Sequence, residues 1–183
     1  MDHLSSSSSP PLPPGGHWRN WVGNQSFIAR HKAEPQSEDE LAALVREASR
    51  QALSVRVAGS GHSFTPVVAT SGLSLSLTNM QGIVSADLAR QRVVVRAGTR
   101  IGDIGRALKE IGLSLANQGD IDTQAIAGAL STGTHGAGTT LGCLSSQAVG
   151  MRLVLANGSI LEVDGDADSE TMAAAQVDRK SVV

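Results

Sequence analysis

VRVAGSGHSF, residues 55–64, is the stretch on which the fold turns. Ser54-Val55-Arg56-Val57-Ala58 is a short β-rich run, and Gly59-Ser60-Gly61-His62-Ser63 ends it abruptly, the pattern of a strand running into a glycine loop. Just upstream, SEDELAALVREASRQAL (37–53) opens with a capping box, Ser37 as N-cap and Glu40 at the third position after it. Leu41, Leu44, Val45, Ala48 and Ala52 then share one face at helical spacing, so helix, strand and glycine turn follow in order.

Downstream, Leu73, Leu75 and Leu77 alternate with polar residues, the period of a half-buried strand. Arg92 to Arg96 reads as another strand, and Ile101, Ile104, Leu108 and Ile111 define a second helix stopped by Gly112. Residues 117–140 are crowded with Gly, Ala, Ser and Thr, too small to fill a core, and imply backbone pressed closely against something else. Asn157-Gly158, between Ala148–Ala156 and Ser159–Val163, predicts a late β-hairpin with positive φ at both turn positions. Strands and helices in this order point to an α+β architecture rather than a doubly wound sheet.

With 183 residues, the chain can bury a core and reads as one domain built of two lobes. Lys+Arg 15 against Asp+Glu 17 leaves no basic field for a nucleic-acid backbone or an anionic membrane. Aromatic residues are only 2%, with no tyrosine, so stacking platforms for single strands are missing as well. The single cysteine, Cys143, cannot make an internal disulfide and brings no second thiolate to a zinc site, which fits a cytoplasmic protein. MDHLSSSSSPPLPPGG has neither a positive n-region nor an apolar h-region, and no stretch approaches the ~20 apolar residues of a membrane span. Residues 1–16 are expected to be a disordered Ser/Pro-rich tail.

The glycine loop is neither of the familiar phosphate motifs. Phe64 takes the third glycine position of G-x-G-x-x-G, Pro66 opposes an immediate helix, and no Gly-Lys-Ser/Thr follows. What remains is an ordinary turn or a nest of amides able to meet an anion, with His62 beside it. A second loop, GALSTGTHGAG (128–138), offers Thr132, Thr134 and successive amides to a pyrophosphate without any basic side chain. Two such loops in one domain suit a long dinucleotide lying between them. Asp120 and Asp122 read as turn chemistry, and His135 as a hydrogen-bonding loop residue rather than a base. His3, His17 and His31 lack metal-ligand spacing and read as solvated.

VRVAGSGHSF together with NQGDIDTQAIAGALSTGTHGAG (117–138) resembles the PCMH-type FAD-binding domain of the vanillyl-alcohol-oxidase superfamily, specifically the sugar-1,4-lactone oxidases and dehydrogenases and the alditol oxidases. The resemblance runs from about Trp18 to about Ala175 and implies a two-lobed α+β domain, an N-terminal βαβ-like lobe and a second mixed lobe with the late hairpin. It places Ala58, Gly59, Ser60, Gly61 and Ser63 around the flavin phosphates and ring, with His62 as the covalent attachment point. Gly119 and Asp120 match a short loop that meets the flavin, and Gly128, Thr132, Gly133, Thr134 and His135 match the pyrophosphate loop. Ala125 stands where related proteins often have serine. Trp18 and Trp21 match the family's opening segment or close the edge of the core.

The implied chemistry is oxidation of a CH–OH group in a sugar lactone or polyol, with hydride passing to flavin N5 and on to oxygen or another acceptor. A neutral imidazole, with an unperturbed pKa of about 6.5, offers at pH 7 the lone pair that such an anchor needs. The resemblance also implies that residues 17–177 are an incomplete FAD-binding domain, without the substrate domain that supplies the catalytic side chains. The last six residues, DRKSVV (178–183), depart from the family, look like a reading frame of a sequencing adapter, and are taken as a non-native tail. The chain by itself is expected to turn over little. The alternatives are a nonenzymatic flavin-binding fragment and a UDP-N-acetylmuramate dehydrogenase-like reductase.

Overall fold

The computed structural model describes residues 11–176. An antiparallel hairpin, β1 (Gly16–Arg19) and β2 (Ser26–Ala29), leads into β3 (His31–Ala33) and α1 (Glu38–Arg50). The helix crosses over to β4 (Val55–Val57), and β5 (Leu73–Leu75) inserts between the two to make a parallel sheet in the order β3-β5-β4. Leu44, Val45 and Ala48 of α1 pack on Ala33, Leu73 and Leu75, a βαβ core closed by aliphatic side chains. Each large side chain buried there contributes roughly 1.5–3 kcal/mol.

The cap of α1 follows its sequence. Ser37 Oγ accepts from Glu40 N at 3.2 Å, while Glu40 reaches back to Gln36 N at 2.8 Å. The other end departs from expectation at Ala52, which leaves the apolar face and adopts φ 52°. Leu53 N donates to Ala48 O at 2.9 Å and Ala52 N to Ser49 O at 3.0 Å, a Schellman closure in which alanine takes the position glycine prefers. Beside that closure Glu47, 5% exposed, accepts from Arg50 Nε at 2.8 Å and Gln51 Nε2 at 2.7 Å. Those bonds, Arg50's first, hold its carboxyl at about 2 against an ordinary 4.5.

The second lobe holds a bulged hairpin, β6 (Ile83–Asp87) and β7 (Arg92–Val95), then α2 (Ile101–Glu110) and the short α3 (Ile126–Leu130). A 3₁₀ turn, Leu144–Gln147, precedes the hairpin β8 (Gly150–Val154) and β9 (Ile160–Asp164) and a last helix, α4 (Ser169–Ala175). Ile101, Ala129 and Leu144 form its small core, with Leu115, Ile126 and Leu130 around them. The β8–β9 hairpin also leans on the first lobe: Arg46 Nη1 donates to Gly158 O at 3.2 Å and Arg152 pairs with Glu38 at 2.7 Å. The architecture is the expected two-lobed α+β one, and no helix among the described residues is long and apolar enough to cross a membrane.

Several local expectations change. β5 is buried along its whole length, Ser74 included at 2% exposure, because it is the central strand. Leu77 lies outside it, and Ile111, past the end of α2, is 39% exposed. In the late hairpin only Gly158 has positive φ, 76°. Gly158 N donates to Leu155 O at 2.8 Å and Leu155 N to Ser159 O at 2.9 Å, a three-residue loop with a glycine bulge rather than a two-residue turn.

The expected tail boundary at residue 16 also moves. Leu12 packs against the first core, Pro14 O accepts from Lys32 N at 3.3 Å, and Gly16 already belongs to β1. Pro13 O lies 2.8 Å from His31 Nδ1, so His31 is not solvated as expected: its Nε2 is buried without a hydrogen-bond partner. His3 and the 178–183 tail lie outside the described residues.

Candidate functional site

The glycine loop leaves β4 with Ala58 buried and its N–H donating to Leu75 O at 2.8 Å. Gly61 then takes φ 74°, which admits glycine at no cost. The β1–β2 turn clamps this loop. Trp21 N donates to Gly61 O at 3.0 Å, and Asn20 Nδ2, on a residue 4% exposed, donates to Ser63 O at 3.0 Å. Asn24 and Gln25 donate to Phe64 O at 3.3 and 3.2 Å. A Cβ on Gly61 would stand 3.2 Å from Asn20 Cα and from the Trp18 ring, so the two segments pack backbone to backbone.

His62 is held on two sides. Its ring stacks on Trp21 with centroids 5.5 Å apart, and its Nε2 lies 2.9 Å from Thr123 Oγ1. Its Nδ1 is buried and has no hydrogen-bond partner. Ser60 Oγ donates to Thr123 O at 2.6 Å, and a Cβ on Gly59 would touch Ala125 Cβ at 3.4 Å. The first loop and residues 123–125 therefore form one wall.

Ala58, Gly59, Ser60, Gly61, His62, Ser63, Ala125, Gly128 and Thr132 all line a single open cleft of about 2430 Å³ between the lobes. That is well beyond the ~300–1,000 Å³ of a drug-sized pocket. Gly119, Asp120, Gly133, Thr134 and His135 are not among the residues that line the cleft. Gly119 backs onto the 134–136 segment, where its Cβ would meet His135 O at 3.2 Å, and Thr134 O accepts from Leu144 N at 2.7 Å. His135 Nδ1 lies 3.0 Å from Gly136 O. Sequence reasoning passed over Thr123, Asn20 and Gln124; Gln124 lines the cleft, and its Oε1 is buried without a partner. Thr123 and Gln124 lay within the quoted 117–138 stretch, but no periodicity marks them.

A model of the FAD binding domain matches residues 29–164, a span that contains both loops and the wall between them. The chain belongs to the FAD binding domain family. An L-gulono-1,4-lactone dehydrogenase of Mycobacterium tuberculosis is 39% identical over 150 residues, 81% of this chain but 35% of the relative. A D-arabinono-1,4-lactone oxidase of Eremothecium gossypii is 35% identical over 87% of this chain and 31% of its own length. The chain thus spans about a third of these relatives. Among solved structures, 6-hydroxy-D-nicotine oxidase from Arthrobacter nicotinovorans superposes with a TM-score of 0.72 at 25% identity, over 91% of this chain and 35% of that one.

The donor set fits FAD. No hydrogen bond within the described residues engages the amides of Gly59, Ser60 and Gly61, nor that of Thr132, all on residues that line the cleft. Such amides serve a pyrophosphate without a basic side chain. His62 and Gln124 also line this cleft, and each carries one buried polar atom without a hydrogen-bond partner, Nδ1 and Oε1.

Proposed function

We propose that this chain is the FAD-holding part of an oxidoreductase that oxidises a CH–OH group of a sugar-1,4-lactone, with the flavin joined covalently to His62. The observation that carries the anchor is an imidazole on the cleft wall, one nitrogen engaged by Thr123 and the other left over. The substrate class rests on the lactone dehydrogenase and lactone oxidase to which the chain is similar. An alditol is the neighbouring possibility, because both substrates present a hydroxyl-bearing carbon.

Bound FAD would take hydride from that carbon and pass the electrons to dioxygen or another acceptor. The chain's own residues bind and orient. Gly59, Ser60, Gly61 and Ser63 face the cofactor from the first loop, Gly128, Thr132, Gly133, Thr134 and His135 form or support the second, and Gly119 and Asp120 complete the turn behind it. Ala125 leaves its position apolar, so no side-chain bond forms there. His62 supplies a lone pair for a bond to the flavin 8α carbon. Forming that bond would release two hydrogens as protons, one from the carbon and one from the His62 imidazole, and two electrons to the acceptor. None of these residues is assigned proton abstraction from substrate.

The test is expression with riboflavin, acid precipitation and a fluorescence reading of the pellet. Wild type should retain flavin in the pellet, and His62→Ala should release all of it into the supernatant while still binding FAD reversibly. Loss of wild-type flavin to the supernatant would remove the covalent anchor and leave FAD binding standing. Normal turnover of L-gulono-1,4-lactone or D-arabinono-1,4-lactone by this chain would overturn the assignment of its residues to binding and orienting alone.

A further inference from the structure

We propose that Thr123 is a positioning residue for the cofactor bond: its hydroxyl takes the Nε2–H of His62 and thereby keeps Nδ1 unprotonated, as the nitrogen that attacks. This rests on the reading of His62 as the anchor. The two nitrogens of the ring are unequal here. Nε2 is 2.9 Å from Thr123 Oγ1, whereas Nδ1 is out of contact with solvent and meets no partner.

A neutral imidazole has a single N–H, and the bond made by one nitrogen decides the state of the other. With the proton on Nδ1, a buried donor would be stranded, bearing the full desolvation cost of an unmade hydrogen bond. With the proton on Nε2, the donor meets Thr123 Oγ1, and Thr123, which is exposed, turns its own hydrogen to water. The second arrangement leaves only a lone pair unmatched, and that lone pair is what bond formation consumes. The Nε2 proton is then the hydrogen the imidazole releases.

Thr123 is itself fixed. Ser60 Oγ donates to its carbonyl at 2.6 Å, so both bonds run between the 60–62 loop and one residue of the facing segment. Trp21 stacks on the ring, and Asn20 and Trp21 hold the loop backbone on either side of His62.

The experiment uses the 183-residue chain labelled with ¹⁵N-histidine, as wild type, Thr123→Val and Thr123→Ser, with the His62 signals assigned by their loss in His62→Ala. Long-range ¹H–¹⁵N correlation spectra of flavin-free protein read the tautomer directly. Wild type and T123S should carry the proton on Nε2, and T123V should shift toward the Nδ1–H form. On loading with FAD, T123V should form acid-stable flavin about tenfold more slowly or worse, as expected when the outer partner of a working histidine is lost. That loss should lie in the limiting rate rather than in the FAD concentration giving half of it, and T123S should restore it. A wild-type ring protonated on Nδ1, or a T123V protein with unchanged tautomer and rate, overturns the proposal. Wild type with the Nε2–H tautomer but no acid-stable flavin overturns the anchor, and this role with it, by a separate signature.

Discussion

In the first lobe Leu44, Val45, Leu73 and Leu75 fill the space between helix and sheet with side chains, whereas where Asn117–Gly119 meets His135–Gly136 the chain closes backbone against backbone. A Cβ on Gly136 would collide with Gln118 O and Asn117 Oδ1, and one on Gly119 would crowd His135 O. The side chains there fix position by polar bonds instead: Gln147 Nε2 to Asn117 O at 2.6 Å, Asn117 Nδ2 to Gly142 O at 3.1 Å. The difference separates two jobs. Apolar volume makes the first lobe stable, and its absence in the second region lets amides approach an anionic ligand closely.

The largest test of this contrast is Leu73→Ala. Leu73 is 0% exposed at the centre of the parallel sheet, so the truncation should cost about 2–5 kcal/mol in urea unfolding and take FAD binding down with the fold. Gly136→Ala should act the other way round. The clash is with a backbone carbonyl that cannot step aside, so FAD affinity should fall about tenfold, ~1.4 kcal/mol, while the urea midpoint moves less than in the leucine variant. Equal effects of the two substitutions on both readouts would remove the distinction between stabilising and binding regions.

The smallest effect sharpens the first side alone. Glu47 has a folded pKa of about 2 against 4.5, so its contribution is fully present above 4.5 and fades as pH falls toward 2. Glu47→Gln should therefore lose less stability than wild type across that interval, read as the difference between their urea midpoints at each pH. Parallel decline of the two proteins would mean that the bonds from Arg50 and Gln51 do not depress the carboxyl.

Where a local rule coincides with the fold, the chain was legible. Ser37 and Glu40 cap α1 as their spacing dictates, and Gly112, at φ 75°, ends α2. The Asn157-Gly158 pair foretold a hairpin but not its loop, because pairing of Leu155 with Ser159 puts the positive φ on Gly158 alone. Alternating leucines implied a strand with one wet face, and the pairing of β3 and β4 on either side of it buried both. The β1–β2 hairpin escaped notice, since four-residue strands carry too little periodicity to register.

At the candidate site, His62 and both small-residue loops were visible as residue types, and likeness to a family supplied their ligand. Thr123 and Asn20 were not visible, because each matters through a partner far along the chain, 61 and 43 residues away.

The amino-acid sequence by itself determined α1 and α2, the late hairpin, the two small-residue loops and a histidine beside one of them, since those depend on neighbours within a few residues. Only the tertiary structure decided which nitrogen of His62 is engaged, which loop residues line the cleft and which do not. Those outcomes depend on contacts between segments brought together by burial, and a hydrogen bond across 61 residues leaves no local trace in composition or period.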